Sequence, residues 1–164
     1  MLGIMKGLKS LLTIVIIAWI GPGAAAGQQA PGADVFASTK AIKWGAAPPV
    51  VPKGAQAAVL AGDPFKDGSE YTLRLRMPGG YKIPPHWHPT DKNVTVLAGK
   101  LGAGMGDKFD PASGEIINSG GFVRMPREVH HFAWAMGPTT IQVSGLGPFA
   151  FHYVNSADDP RNKH

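Results

Sequence analysis

His86 and His88 stand one residue apart in the stretch KIPPHWHPTDKNVTVLAGK, Lys82 to Lys100, of a 164-residue chain that has only six histidines. In an extended strand successive side chains point to opposite faces, so these two rings share a side while Trp87 points away. Two imidazoles so placed can reach one small cation without bending the backbone. The chain has no cysteine, so any metal is held without thiolate, by groups that suit a divalent Fe, Mn, Ni, Cu or Zn ion. The alternation carries on only loosely past Pro89, because that proline and Thr90-Asp91 make a bend. A second pair, His130 and His131, lies in GGFVRMPREVHHFAWA, where neighbours on a strand face opposite ways. His152 and His164 lack such company and read as structural or exposed.

Strands are what must position these rings. The chain carries 22 Gly and 15 Pro, many for its length, which points to frequent turns between short strands. The clearest strand is SEYTLRLRM, where Tyr71, Leu73 and Leu75 alternate with Thr72, Arg74 and Arg76 and leave one face wet. Before it, Ile42 and Trp44 open a first strand, a Pro-rich edge or loop follows, and AQAAVLAG reads as another strand. After it come YKIPPHWH, the β-branched run NVTVLAGKLGAGMG, EII, GGFVRMP, HHFAWAM, TTIQVSGLG and FAFHYV. No stretch offers an amphipathic helix, no repeat of fixed period appears, and no boundary divides the chain. The reading is an all-β sandwich or barrel.

The first 26 residues stand apart. Lys6 and Lys9 without an acid, the apolar LLTIVIIAWI, and the small residues of GPGAAAG follow the order of a secretory signal peptide, with cleavage after Ala26. The apolar run falls short of the ~20 residues of a membrane span, so the expectation is an exported protein, periplasmic or secreted, with no stable membrane insertion after cleavage; an uncleaved anchor is the alternative. Residues 27–40 read as a loose leader. The chain is +5, from 16 basic and 11 acidic residues, and residues 27–164 are +3, from 14 and 11. No block of like charge appears, which argues against a nucleic-acid partner. Without disulfides in an exported chain, the fold must rest on its own core.

With these residues in view a family resemblance appears. Gly80, five residues, His86-Trp87-His88, three residues, Lys92, six residues, Gly99 resembles the first motif of the cupin superfamily in every spacing. Gly120, five residues, Pro126-Arg127-Glu128-Val129-His130-His131, three residues, Ala135 lines up with the second. The chain is similar to a small secreted single-domain cupin. The resemblance implies a single jelly-roll barrel (a double-stranded β-helix) over residues 41–154, of about eight to ten antiparallel strands, followed by a tail at 155–164. It implies His86, His88 and His131 as ligands of a divalent transition metal inside the barrel, and a homodimer as the assembly. His130 would face the other way, as a surface or supporting residue.

Three positions depart from the pattern. Lys92 stands where the family has its glutamate ligand, Glu128 where it has a turn glycine, and Ala135 where it often has asparagine. An ammonium has no acceptor atom and cannot ligate a cation while protonated. The leading expectation is that Lys92 swings out to solvent, pairing with Asp91, and leaves a three-histidine site with open positions. It could instead stay inward and abolish metal binding, or pair with Glu128 near the mouth. Tyr81, Val94, Val96 and Ala133 are the candidate pocket lining, with Tyr81 or a deprotonated Lys92 as the only candidate bases. Trp87, Phe132 and Trp134 face outward, for packing or an interface. Arg74 and Arg76 read as a solvated face, with a carboxylate anchor as the alternative, and Asp91 reads as a turn former.

Three functional readings follow. The first is a metal-dependent oxygenase or related oxidoreductase acting on a small molecule. The second is a module that binds a metal or small-molecule ligand without turnover. The third is a degenerate cupin whose lysine has ended metal use.

Overall fold

Period-two strands with one apolar face must bury that face, and here two sheets do so against each other. The computed structural model describes residues 38–162; the signal segment and residues 27–37 of the leader lie outside them. Eleven strands form: β1 (Gly45–Ala46), β2 (Gln56–Gly62), β3 (Glu70–Met77), β4 (Lys82–Trp87), β5 (Lys92–Ala98), β6 (Lys100–Met105), β7 (Glu115–Asn118), β8 (Phe122–Met125), β9 (His131–Ala135), β10 (Thr139–Leu146) and β11 (His152–Tyr153). One sheet runs β1-β2-β3-β10-β5-β8 and the other β11-β4-β9-β6-β7, with every pairing antiparallel. This is the jelly-roll arrangement of two packed sheets. The count is one above the expected range because NVTVLAGKLGAGMG, read as one strand, is two; the first strand is Gly45–Ala46, just after Ile42 and Trp44, and the last keeps only His152–Tyr153 of FAFHYV.

The inward residues are the ones that alternation selects. Tyr71, Leu73, Leu75 and Met77 of β3, Val94 and Val96 of β5, Ile141 and Val143 of β10 and Leu101 of β6 are all buried in one core. Each fully buried aliphatic side chain contributes about 1.5–3 kcal/mol relative to exposure. The run NVTVLAGKLGAGMG, continuous by composition, is two strands. Gly99 breaks it at φ +78, and a Cβ there would lie 2.3 Å from the Pro138 carbonyl oxygen, so only glycine fits.

The outward aromatics of β9 serve packing. Phe132 is fully buried, and Trp134 lies over Gly102 and Phe132 over Gly104 of β6, where added Cβ atoms would stand 2.0 Å and 2.3 Å from the respective rings. Phe109, from the loop between β6 and β7, packs on both rings with centroids 5.2 Å and 6.1 Å away. Trp87 stacks on His152 at 4.0 Å. The two arginines of β3 are not simply solvated. Arg76 lies over the Trp44 ring at 3.8 Å, and Arg74 Nε donates to Gln142 Oε1. Residues beyond β11 form two short 3-10 turns, Ser156–Asp158 and Pro160–Asn162, and Arg161 in the second donates to the Phe151 carbonyl.

Candidate metal centre

Two strand ends bring the histidines together. β4 carries His86 opposite His131 of β9, and His88 follows just beyond β4. Pro84 and Pro85 have no N–H to give the ladder, and the β4–β9 register shifts between Ile83 and His86. That irregularity turns the strand so that His86 and His88, rather than their odd-numbered neighbours, face inward. His86, His88 and His131 are 2, 4 and 3 % exposed, and their ring centroids are 4.3–5.0 Å apart. One nitrogen from each ring lies within 4.8 Å of the other two.

Hydrogen bonding decides which nitrogen that is. The Nδ1 of His86 is 2.8 Å from the Pro84 carbonyl, that of His131 is 2.8 Å from the Val129 carbonyl, and that of His88 is 2.7 Å from the Ala150 carbonyl. A carbonyl only accepts, so each Nδ1 carries the proton and each Nε2 keeps its lone pair. Burial holds all three rings neutral. It pushes His88 down to about 3, with His131 and then Lys92 adding to the effect against the Ala150 bond. The His86 pKa is driven well below its ordinary value by burial, then by His131 and His88. Burial also lowers that of His131. Three neutral imidazoles, each with Nε2 free and one nitrogen of each within 4.8 Å of the others, fit a divalent cation.

The chamber in front of them has a volume of about 50 Å³ and is walled mainly by Leu75, Val94, Ala133, Ile141, Phe149 and Phe151. That is room for about four waters and far below the ~300 Å³ at which ligand pockets ordinarily begin. Phe151 lies face to face with His86 at 4.4 Å and edge-on to His88 at 4.6 Å. Of the candidate lining, Val94 and Ala133 reach the chamber. Val96 is fully buried in the core. Tyr81 is buried too, but its hydroxyl donates to the Pro52 carbonyl, so it neither lines the chamber nor serves as a base. A wider open recess of about 1110 Å³, lined by outward-facing Thr72, Asn93, Arg124 and Ser144, contains none of the histidines.

Lys92 corrects the leading expectation. It does not swing out; it is 1 % exposed and lines the chamber. Its Nζ donates to Thr90 Oγ1, to the Leu146 carbonyl at 2.9 Å and to the Pro148 carbonyl at 3.5 Å. An ammonium with three acceptors can stay buried without reaching for water. Burial lowers its pKa to about 8, with Asp91 pulling the other way. Asp91 is engaged elsewhere, accepting from the Arg127 amide at 2.8 Å and pairing with the Arg124 guanidinium. Glu128 is exposed and makes no pair with the lysine. Its backbone nevertheless does what the family's glycine would: φ is +62, and its amide donates to the His88 carbonyl at 2.8 Å. His130 turns away from the chamber to pair with Asp107.

No protein-family model matches the chain, and no curated protein matches it in sequence. Solved structures do match in shape. The polyketide cyclase RemF of Streptomyces resistomycificus has a TM-score of 0.62 at 19 % identity, over 76 % of this chain and 88 % of that one. A putative acetylacetone dioxygenase of Methylibium petroleiphilum has 0.58 at 17 %, over 80 % and 88 %. An RmlC-like cupin of Shewanella frigidimarina has 0.53 at 11 %, over 70 % and 91 %. The chain has the cupin fold, with three buried histidines placed where they could hold a metal.

Proposed function

We propose that the protein holds one divalent transition metal through His86, His88 and His131 and supports oxygenase-like or related redox chemistry on a small molecule. The observation that carries this is the common tautomer, with three Nδ1–H groups donated to backbone carbonyls and three Nε2 lone pairs converging. When bound, such an ion supplies Lewis acidity and, if redox-active, electron transfer at open coordination positions. The chain's own residues do the rest. Backbone carbonyls fix the ring planes, and the aliphatic and phenyl walls exclude water. No carboxylate lines the chamber, and Lys92 is committed to its three acceptors, so hydrolytic acid–base work has no evident proton carrier. The similar folds include both a described cyclase and a putative dioxygenase, so the barrel itself does not choose between reactions.

The small chamber favours a second reading, a module that holds the ion without turnover. Metal analysis of the purified full chain tests the shared claim. The expected result is one equivalent of a transition metal, lost in a His86→Ala/His88→Ala variant; a chain that neither contains nor takes up metal would refute it. Oxygen uptake with a panel of thiols, diketones and phenolics then separates turnover from holding. We further propose export directed by residues 1–26. Sequencing the N-terminus of the mature protein should find it near residue 27, and an intact Met1 would overturn that.

A further inference from the structure

We propose that Lys92 is a positioning residue for the histidine site, pinning the loop between β10 and β11 that sets the ring of His88. The three histidines are not oriented alike. His86 and His131 donate to carbonyls two residues earlier in their own segments. His88 instead donates to Ala150, 62 positions away, on the loop that runs from Leu146 to β11. The same loop supplies Phe151, which packs on both His86 and His88.

The loop is anchored at the end that Lys92 holds. Nζ donates to the Leu146 and Pro148 carbonyls, and Thr90 Oγ1, which accepts from the same Nζ, donates to Leu146 at 2.7 Å. Further along, the Phe149 amide donates to Pro64 at 2.6 Å. Lys92 and Thr90 therefore join the start of β5 to the segment that presents the Ala150 carbonyl. The lysine occupies the position of a ligand and acts on the site through the backbone. Loss of an orienting hydrogen-bond partner of a metal-binding histidine ordinarily lowers metal affinity about 10- to 100-fold.

The proposal rests on the metal reading above, and its sign separates it from a purely electrostatic role. If Lys92 acted only as a positive charge beside the ion, Lys92→Met would tighten binding. If it positions, Lys92→Met weakens binding although a like charge has gone. The experiment titrates the metal-stripped full chain with Co²⁺ and follows the histidine ring nitrogens by ¹⁵N NMR without metal. Lys92→Met should bind Co²⁺ at least about tenfold more weakly. The Nδ1–H signal of His88 should shift and exchange faster, while that of His131 stays in place. Lys92→Cys alkylated in the unfolded state with 2-bromoethylamine, then refolded, restores an ammonium of similar reach and should recover both readouts. Equal or tighter binding with an unshifted His88 overturns the proposal. Should Lys92→Met fail to fold, Thr90→Val removes one link and keeps the charge; an unchanged His88 ring there overturns it as well. A wild-type chain that ignores Co²⁺, yet whose His88 ring responds to Lys92→Met, would refute the metal reading and leave the positioning role standing.

Discussion

Acidification should unfold the metal-free protein by way of its histidines, and His88 sets the scale. Its pKa is about 3 in the folded state because burial excludes the charged form, against about 6.5 in an unfolded chain. A folded-state pKa below the unfolded one means that the unfolded chain takes up the proton first. The stability tied to neutral His88 is therefore complete above pH 6.5 and is lost as the pH falls from there toward 3. Between pH 7.5 and pH 5.0 the loss is about 2 kcal/mol for this residue alone, and His86, lowered in the same direction, adds to it. Urea melts of the chelator-treated chain read it directly. With slopes of about 1–3 kcal/mol per molar urea, the midpoint at pH 5.0 should fall by about 1 M or more. A His88→Gln variant, whose amide does not titrate, should lose markedly less over the same interval. A midpoint unchanged between the two pH values, or an equal fall in that variant, would refute the claim that these rings are buried neutral.

Lys92→Glu sets a carboxylate against the Leu146 and Pro148 carbonyls, and an unpaired buried charge costs about 3–5 kcal/mol; its metal-free melting temperature should drop by roughly 12–20 °C at ~4 °C per kcal/mol and recover in part with Zn²⁺, and a melt indifferent to metal would count against a shared chamber. Glu128→Gly relieves a left-handed backbone worth about 1–2 kcal/mol, offset by glycine's greater freedom when unfolded, so calorimetry should show a small rise in melting temperature, where a fall would show that φ +62 is not strained. Gly102→Ala drives a methyl into the Trp134 ring, and overpacking of about 1–3 kcal/mol should appear as a melt lowered by several degrees; an unaltered melt would mean that the ring moves freely. Arg124→Ala removes an exposed pair from Asp91, which keeps its bond to the Arg127 amide, so stability should change by less than about 1 kcal/mol.

The strands and the His86–His88 pair were legible because both follow from alternation, while His131 joined them through the family resemblance. Tyr71, Leu73 and Leu75 turn inward as their spacing says, and His86 and His88 share a face. Lys92 was misjudged for an instructive reason. Its parity with Val94 and Val96 already placed it inward, but residue type argued for solvent. Besides Thr90 Oγ1, its acceptors are the Leu146 and Pro148 carbonyls, and backbone oxygens leave no mark in a sequence. The orienting partner of His88 was hidden in the same way. Tyr81, a candidate for the lining, is buried, yet its hydroxyl goes to Pro52, on a loop whose path composition does not disclose. Glycine preference at the Glu128 position was legible as a mismatch, and the backbone adopts the glycine conformation regardless.

The aromatic cover over β6 has a consequence for self-association. Phe109, Phe132 and Trp134 occupy the outer surface of the five-stranded sheet, so two copies could stack through that sheet only by peeling back the loop that carries Phe109. Among the described residues, the outside of the six-stranded sheet carries the Trp44 ring over Arg76, and Phe122 stands there 59 % exposed.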